Sequence, residues 1–237
     1  MKIAITGEGN TDYGKRDYST KKWLCGPAMI YAENIAKEQG MKVELFPIEK
    51  EDVKRVKLQG RSTKKISGRG IPARKFKILM NKENCDGGIF YCDADKESGA
   101  KSSDHSAVNK YYQKVYEEVS MGLDSDKAIP MIPLSMIECW LLGDKTALEK
   151  VFKTEIDQNK LSLKPEYIWG NKTDPSSDYP KNYFVRLIRG LAGKYKDYDS
   201  NQEDFNEIAS HASSSILRKS CPISYARFYS DFIALLK

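Results

Sequence analysis

Four carboxylates stand out because of what precedes them in the chain. Glu8 and Asp12, in GEGNTD, follow the apolar run KIAIT, and Asp93 and Asp95, in YCDAD, follow the apolar run GGIF. An acid just past a buried strand is held by rigid backbone yet faces solvent. Alternate residues of an extended segment point the same way, so Asp93 and Asp95 present oxygens to one point. Four clustered carboxylates repel one another, and a hard divalent cation relieves that repulsion. Oxygen-only ligation favours Mg²⁺ or Mn²⁺ over zinc, as one or two ions. The structural alternative is four turn acids, since Asp and Gly are common where strands end. Glu138, in IECWLL past another apolar segment, reads either as a further ligand or as an acid placed in a first helical turn by the macrodipole.

Other chemistries find less support. Five scattered cysteines without a CxxC pair, and only two histidines, argue against a zinc centre and for reduced cysteines in a cytoplasmic setting. No Ser-His-Asp or Cys-His arrangement is visible. His105 reads as an exposed histidine or a proton carrier, and His211 falls on a C-terminal helix. Gly9 to Lys15 matches the phosphate-loop pattern GxxxxGK, but Arg16 stands where a Ser or Thr should hold Mg²⁺. Asp12 inside that loop would also oppose a triphosphate.

The net charge of +6 is concentrated. Between residues 53 and 77 lie ten basic side chains and no acid, among them Arg61, Lys64, Lys65, Arg69 and Arg74. Such a block suits a phosphate-tracking surface for DNA or RNA, against the alternative of a solvated loop. No run of apolar residues is long enough to span a bilayer, and the first residues are punctuated too soon for a signal peptide.

The elements that must position these groups alternate. KIAIT, MKVELFPI, GGIFYCDAD and AIPMIPL read as strands, with helical patterns over residues 20–39, 73–84 and 107–119 between them. This order predicts an α/β, Rossmann-like, mostly parallel sheet of about four strands with flanking helices. It places a site outside the carboxyl ends of the strands. We divide the chain into an α/β domain over residues 1–145 and a helical subdomain over 146–237. The latter carries helical patterns at 182–196, 205–219 and 224–236. Trp140 reads as core rather than as a base-stacking platform.

EGxTD after the first strand and DxD after a later one resemble the Toprim fold of topoisomerases, bacterial primases and overcoming-lysogenization-defect (OLD)-type nucleases. MIECWLLGD and the C-terminal CPISYARF further resemble a narrower Toprim-like bacterial family across nearly the whole chain. The resemblance implies that Glu8 is a metal ligand or general acid/base and that Asp93 and Asp95 hold Mg²⁺. Asp12 matches a second acid that is commonly Glu. It also implies a role for Lys181, in DYPKNYF, as a cation stabilising the transition state; the alternative is a surface lysine. Arg218 and Arg227 are weaker phosphate-contact candidates. The expected function is metal-dependent phosphodiester hydrolysis of DNA or RNA, and the resemblance implies a place as effector of an anti-phage or mobile-element module. Topoisomerase and primase lack their further domains here. The alternative is a non-catalytic or conditionally active nucleic-acid-binding subunit of an ATPase complex.

Overall fold

The computed structural model describes residues 1–58, 66–95 and 104–237. Its strands are β1 (Lys2–Gly7), β2 (Gly14–Arg16), β3 (Trp23–Cys25), β4 (Glu44–Pro47), β5 (Gly87–Tyr91) and β6 (Ala128–Met131). Its helices are α1 (Pro27–Glu38), α2 (Lys50–Arg55), α3 (Gly70–Lys82), α4 (His105–Leu123), α5 (Ile137–Leu141) and α6 (Lys145–Phe152), then α7 (Pro180–Arg189), α8 (Gln202–His211), α9 (Ser214–Ser220) and α10 (Tyr225–Leu235). The main sheet has the order β4-β1-β5-β6, parallel throughout, so the expected α/β architecture is present. The pairing continues past β5, where Ala94 N–H donates to the Pro133 carbonyl and Asp95 N–H to that of Ser135. The acids after β5 are therefore tied to the segment that leads to Glu138.

Side-chain alternation sorts the sheet into two faces. Ile3, Ile5, Ile89, Tyr91, Ile129 and Met131 join one core, with α1, α5, α6 and the C-terminal helices over them. Ala4, Phe90, Cys92 and Ala128 join the other, under α3 and α4. Both faces of a parallel sheet need cover, and here the C-terminal helical subdomain shares one of them with α1, α5 and α6. No helix among the described residues is long and apolar enough to cross a membrane.

Residues 20–39 are not one helix, as the periodicity had suggested. Trp23–Cys25 pairs antiparallel with Gly14–Arg16, and the helix begins only at Pro27. Proline is favoured at a helix start and biases the residue before it towards extended backbone, and Gly26 is extended. The hairpin is closed by Asp17, whose carboxylate accepts from Ser19 N–H (2.9 Å), Ser19 Oγ (2.6 Å) and Thr20 Oγ1 (2.8 Å). The pattern over 205–219 likewise divides into α8 and α9, with extended Ala212 and Ser213 between them.

MIECWLLGD and CPISYARF pack against each other. Trp140 Nε1 donates to Ser224 Oγ (2.8 Å), and its ring meets Tyr225 edge-on at 5.1 Å. Asp144 caps α6 through Ala147 N–H and accepts from Ser213 N–H at 2.8 Å. Buried Glu166 takes the N–H groups of Ile223 (3.0 Å) and Ser224 (2.7 Å), fixing the start of α10. Removing that acceptor strands buried donors, so Glu166→Ala should cost about 3 kcal/mol. A matching fall in the urea midpoint checks this, and a loss under about 0.5 kcal/mol would contradict the role.

Candidate metal centre

The site is built at the carboxyl ends of β1, β5 and β6. After β1 the chain turns in GEGNTD, where Asp12 N–H donates to the Gly9 carbonyl at 3.2 Å. Gly9 has φ +76°, and a Cβ there would lie 2.2 Å from Asp12 Oδ2. Glycine is thus required both by the left-handed backbone and by the carboxylate folded over it. The Asp12 carbonyl accepts from Ala28 N–H at 2.9 Å, which anchors the turn to the first turn of α1. At Gly7 a Cβ would meet the Tyr91 ring at 2.7 Å. Its absence lets that ring lie across the end of β1.

Tyr91 organises the centre. Its hydroxyl donates to Asp93 Oδ1 at 2.6 Å, and hydrogen bonding from Tyr91 also reaches Asp12. Burial raises the Asp93 carboxyl well above its ordinary range, and the charges of Asp12, Glu138 and Asp95 push it further. Asp12 is raised by burial, with the Thr11 and Tyr91 hydroxyls and Lys181 opposing and Glu8 reinforcing. Asp95 is raised by burial and by Glu8, against the pull of Arg69 and Lys172. Glu138 is pushed up to about 7, chiefly by burial and then by Asp12. Asp12, Asp93, Asp95 and Glu138 therefore each feel the charge of another acid of the set, and Glu8 acts on two of them.

They do not yet converge. Among the described residues, no three His, Cys, Asp or Glu side chains stand close enough together to hold an ion. Partners inside the protein account for part of this. Arg69 Nη2 donates to Asp95 Oδ2 at 3.0 Å while its Nη1 donates to the Ala94 carbonyl at 2.8 Å. Asp95 sits in left-handed backbone at φ +57°, and Asp93 faces the Tyr91 hydroxyl. Glu138 Oε2, by contrast, is buried without any hydrogen-bond partner. An unsatisfied buried carboxylate oxygen within an all-oxygen set fits a hard divalent cation.

The remaining candidates fall in different places. Lys181, exposed near the start of α7, exerts its charge on both Asp12 and Glu138. Arg69 turns into the acid cluster. Arg74 is held by α4, through the Met121 carbonyl (3.1 Å) and Asp124 (3.4 Å). Arg61, Lys64 and Lys65 lie outside the described residues. His105 stacks on Tyr167 with centroids 3.8 Å apart. Arg227 lies 3.3 Å over the Tyr116 ring and Arg218 4.3 Å over that of Tyr229.

Sequence reasoning missed Tyr91, Tyr179 and Lys172. Tyr179 feels Glu138, Asp95, Asp93 and Asp12, which add to burial in raising its hydroxyl to about 12. Lys172 acts on Asp95 from a loop that Asn182 fastens by donating to the carbonyls of Lys172 (3.2 Å) and Asp174 (2.8 Å). A signal existed for Tyr91 alone: it stands two residues before Asp93 on an extended segment. Compared with protein-family models, with curated proteins and with solved structures, the chain matches none.

Because the folded pKa of Glu138 is raised, its contribution to stability is complete below the unfolded value and is lost as pH rises through about 7. Glu138→Gln should therefore stabilise the protein at pH 8 by on the order of 2–3 kcal/mol and change little at pH 4. Urea midpoints at the two pH values check this; a pH-independent difference would sink it.

Proposed function

We propose that this protein is a Toprim-type, metal-dependent nuclease that hydrolyses phosphodiester bonds of DNA or RNA. The observation that carries the reading is the set of mutually coupled acids at the ends of three adjacent parallel strands, with the partnerless Glu138 oxygen among them. The EGxTD and DxD motifs supply Glu8, Asp12, Asp93 and Asp95, at the sheet edge where α/β proteins bind ligands.

Glu8, Asp12, Asp93, Asp95 and Glu138 are the residues that would hold Mg²⁺ or Mn²⁺, which supplies an activated water and neutralises charge on the reacting phosphate. Tyr91 orients Asp93 through its hydroxyl. Lys181 and Lys172 bring positive charge to a cluster that would otherwise repel a phosphodiester. Without an ion, Glu138 is pushed up to about 7 by burial and keeps a proton that a carboxylate in water would have released; ion binding there would displace it.

The Arg69–Asp95 ion pair favours a second reading, a conditionally active subunit whose acids are kept apart until a nucleic acid or an ATPase partner draws Arg69 away. Arg69→Ala separates the two. It should speed basal cutting if the guanidinium gates the site, and slow it if the guanidinium grips the substrate's phosphate.

The primary test is digestion of plasmid DNA, single strands and structured RNA with Mn²⁺ or Mg²⁺. Asp93→Asn, Asp95→Asn and Glu8→Gln should each lower turnover at least about a hundredfold, and Lys181→Ala by about tenfold or more. Mn²⁺ should raise the melting temperature of the wild type but not of Asp93→Asn. An Asp93→Asn/Asp95→Asn double variant that cuts at the wild-type rate would refute the reading.

A further inference from the structure

On the face of the sheet covered by α2 and α3, a pocket of about 210 Å³ opens beside Glu8. Thr6, Gly7 and Phe90 line it from the sheet, Val53 from α2, and Ile71 and Pro72 from the first turn of α3. The lining surface is mostly apolar. Three lysines, Lys50, Lys54 and Lys75, complete its lining. Lys75 Nζ is braced on the Lys54 carbonyl at 3.1 Å, and Lys54 pairs with Glu51. The Lys50 charge acts on Glu51 as well.

The chemistry of such a pocket is specific. Its volume falls below the roughly 300–1,000 Å³ of sites that enclose drug-sized ligands, which leaves room for one flat ring system. Apolar walls suit a ring face, while three lysines suit anionic groups attached to the ring's carrier. Glu8 joins the pocket to the acid centre, since its charge acts on both Asp12 and Asp95. A ligand seated here therefore continues directly into the place where a phosphodiester would be cut.

We infer that this pocket seats one unstacked base of a single-stranded polynucleotide, with the neighbouring phosphates on Lys50, Lys54 and Lys75. The choice of a strand rests on the nuclease reading above; the fit of ring and phosphate comes from the pocket itself. A base inside duplex cannot enter without leaving its stack, so the site discriminates against intact duplex.

Fluorescence anisotropy with a short labelled single strand, in EDTA, reads the pocket without any cutting. The wild type should bind that strand at least about tenfold more tightly than a blunt duplex of equal length. Ile71 is exposed, so Ile71→Trp fills the pocket from its rim and Ile71→Glu adds repulsion, with folding checked by urea midpoint. Each should weaken single-strand binding by about tenfold and leave duplex binding unchanged. Wild-type single-strand affinity in both folded variants would overturn the inference. So would inorganic polyphosphate competing as well as the strand, which would reduce the pocket to its lysines. A free mononucleotide competing as well as the strand would overturn the polymer as ligand. Pocket-dependent binding without cutting in Mn²⁺ would defeat the nuclease reading alone. Cutting unaffected by either Ile71 variant, with unchanged binding, would defeat the pocket alone.

Discussion

A four-stranded parallel sheet exposes two apolar faces that must both be shielded from water. In this protein that requirement determines the plan of the whole chain. α3 and α4 cover one face, and helices gathered from both ends of the sequence cover the other. With both faces closed, the carboxyl edge is where side chains from β1, β5 and the segment after β6 meet. The acids collect there because that edge is where rigid backbone ends and polar groups become tolerable.

Electrostatics then gives that edge its character. Carboxylates lose hydration when packed together, and each raises the affinity of its neighbours for protons. The protein offsets this with groups drawn from remote positions: the Tyr91 hydroxyl, the Arg69 guanidinium, and Lys172 and Lys181 from the loop and helix start that lean over the edge. Glu138 Oε2 has no hydrogen-bond partner, and burial pushes its carboxyl up to about 7. The neighbouring pocket has the opposite balance, with lysines around an apolar interior.

Much of this was legible in the sequence. Apolar strand runs ending in acids indicated the parallel sheet and the edge that carries Glu8, Asp12, Asp93 and Asp95, though not that these side chains stop short of converging. The β2–β3 hairpin was not legible, because Trp23 and Leu24 fit a helical period and only the Gly26-Pro27 pair marks the true start of α1. Lys172 was hidden for a different reason: its nearness to Asp95 depends on Asn182 clasping backbone carbonyls, which leaves no periodic trace. Arg69 was taken for part of an exposed basic surface, yet it is half-buried and spent on Asp95, a pairing that only the tertiary fold creates. Trp140 was read correctly as core; that it anchors Ser224 and Tyr225 required the structure.

The packing of α10 has a bearing on how the chain folds. Gly87, at the start of β5, has both Ile3 and Leu235 within van der Waals reach of where a Cβ would be. Strand β1 and helix α10 thus meet at β5 across a very large separation in sequence. Contacts of this kind close a long loop, so they form slowly compared with local ones. Until α10 docks, part of the apolar face it covers stays exposed, the condition that recruits chaperones and favours aggregation.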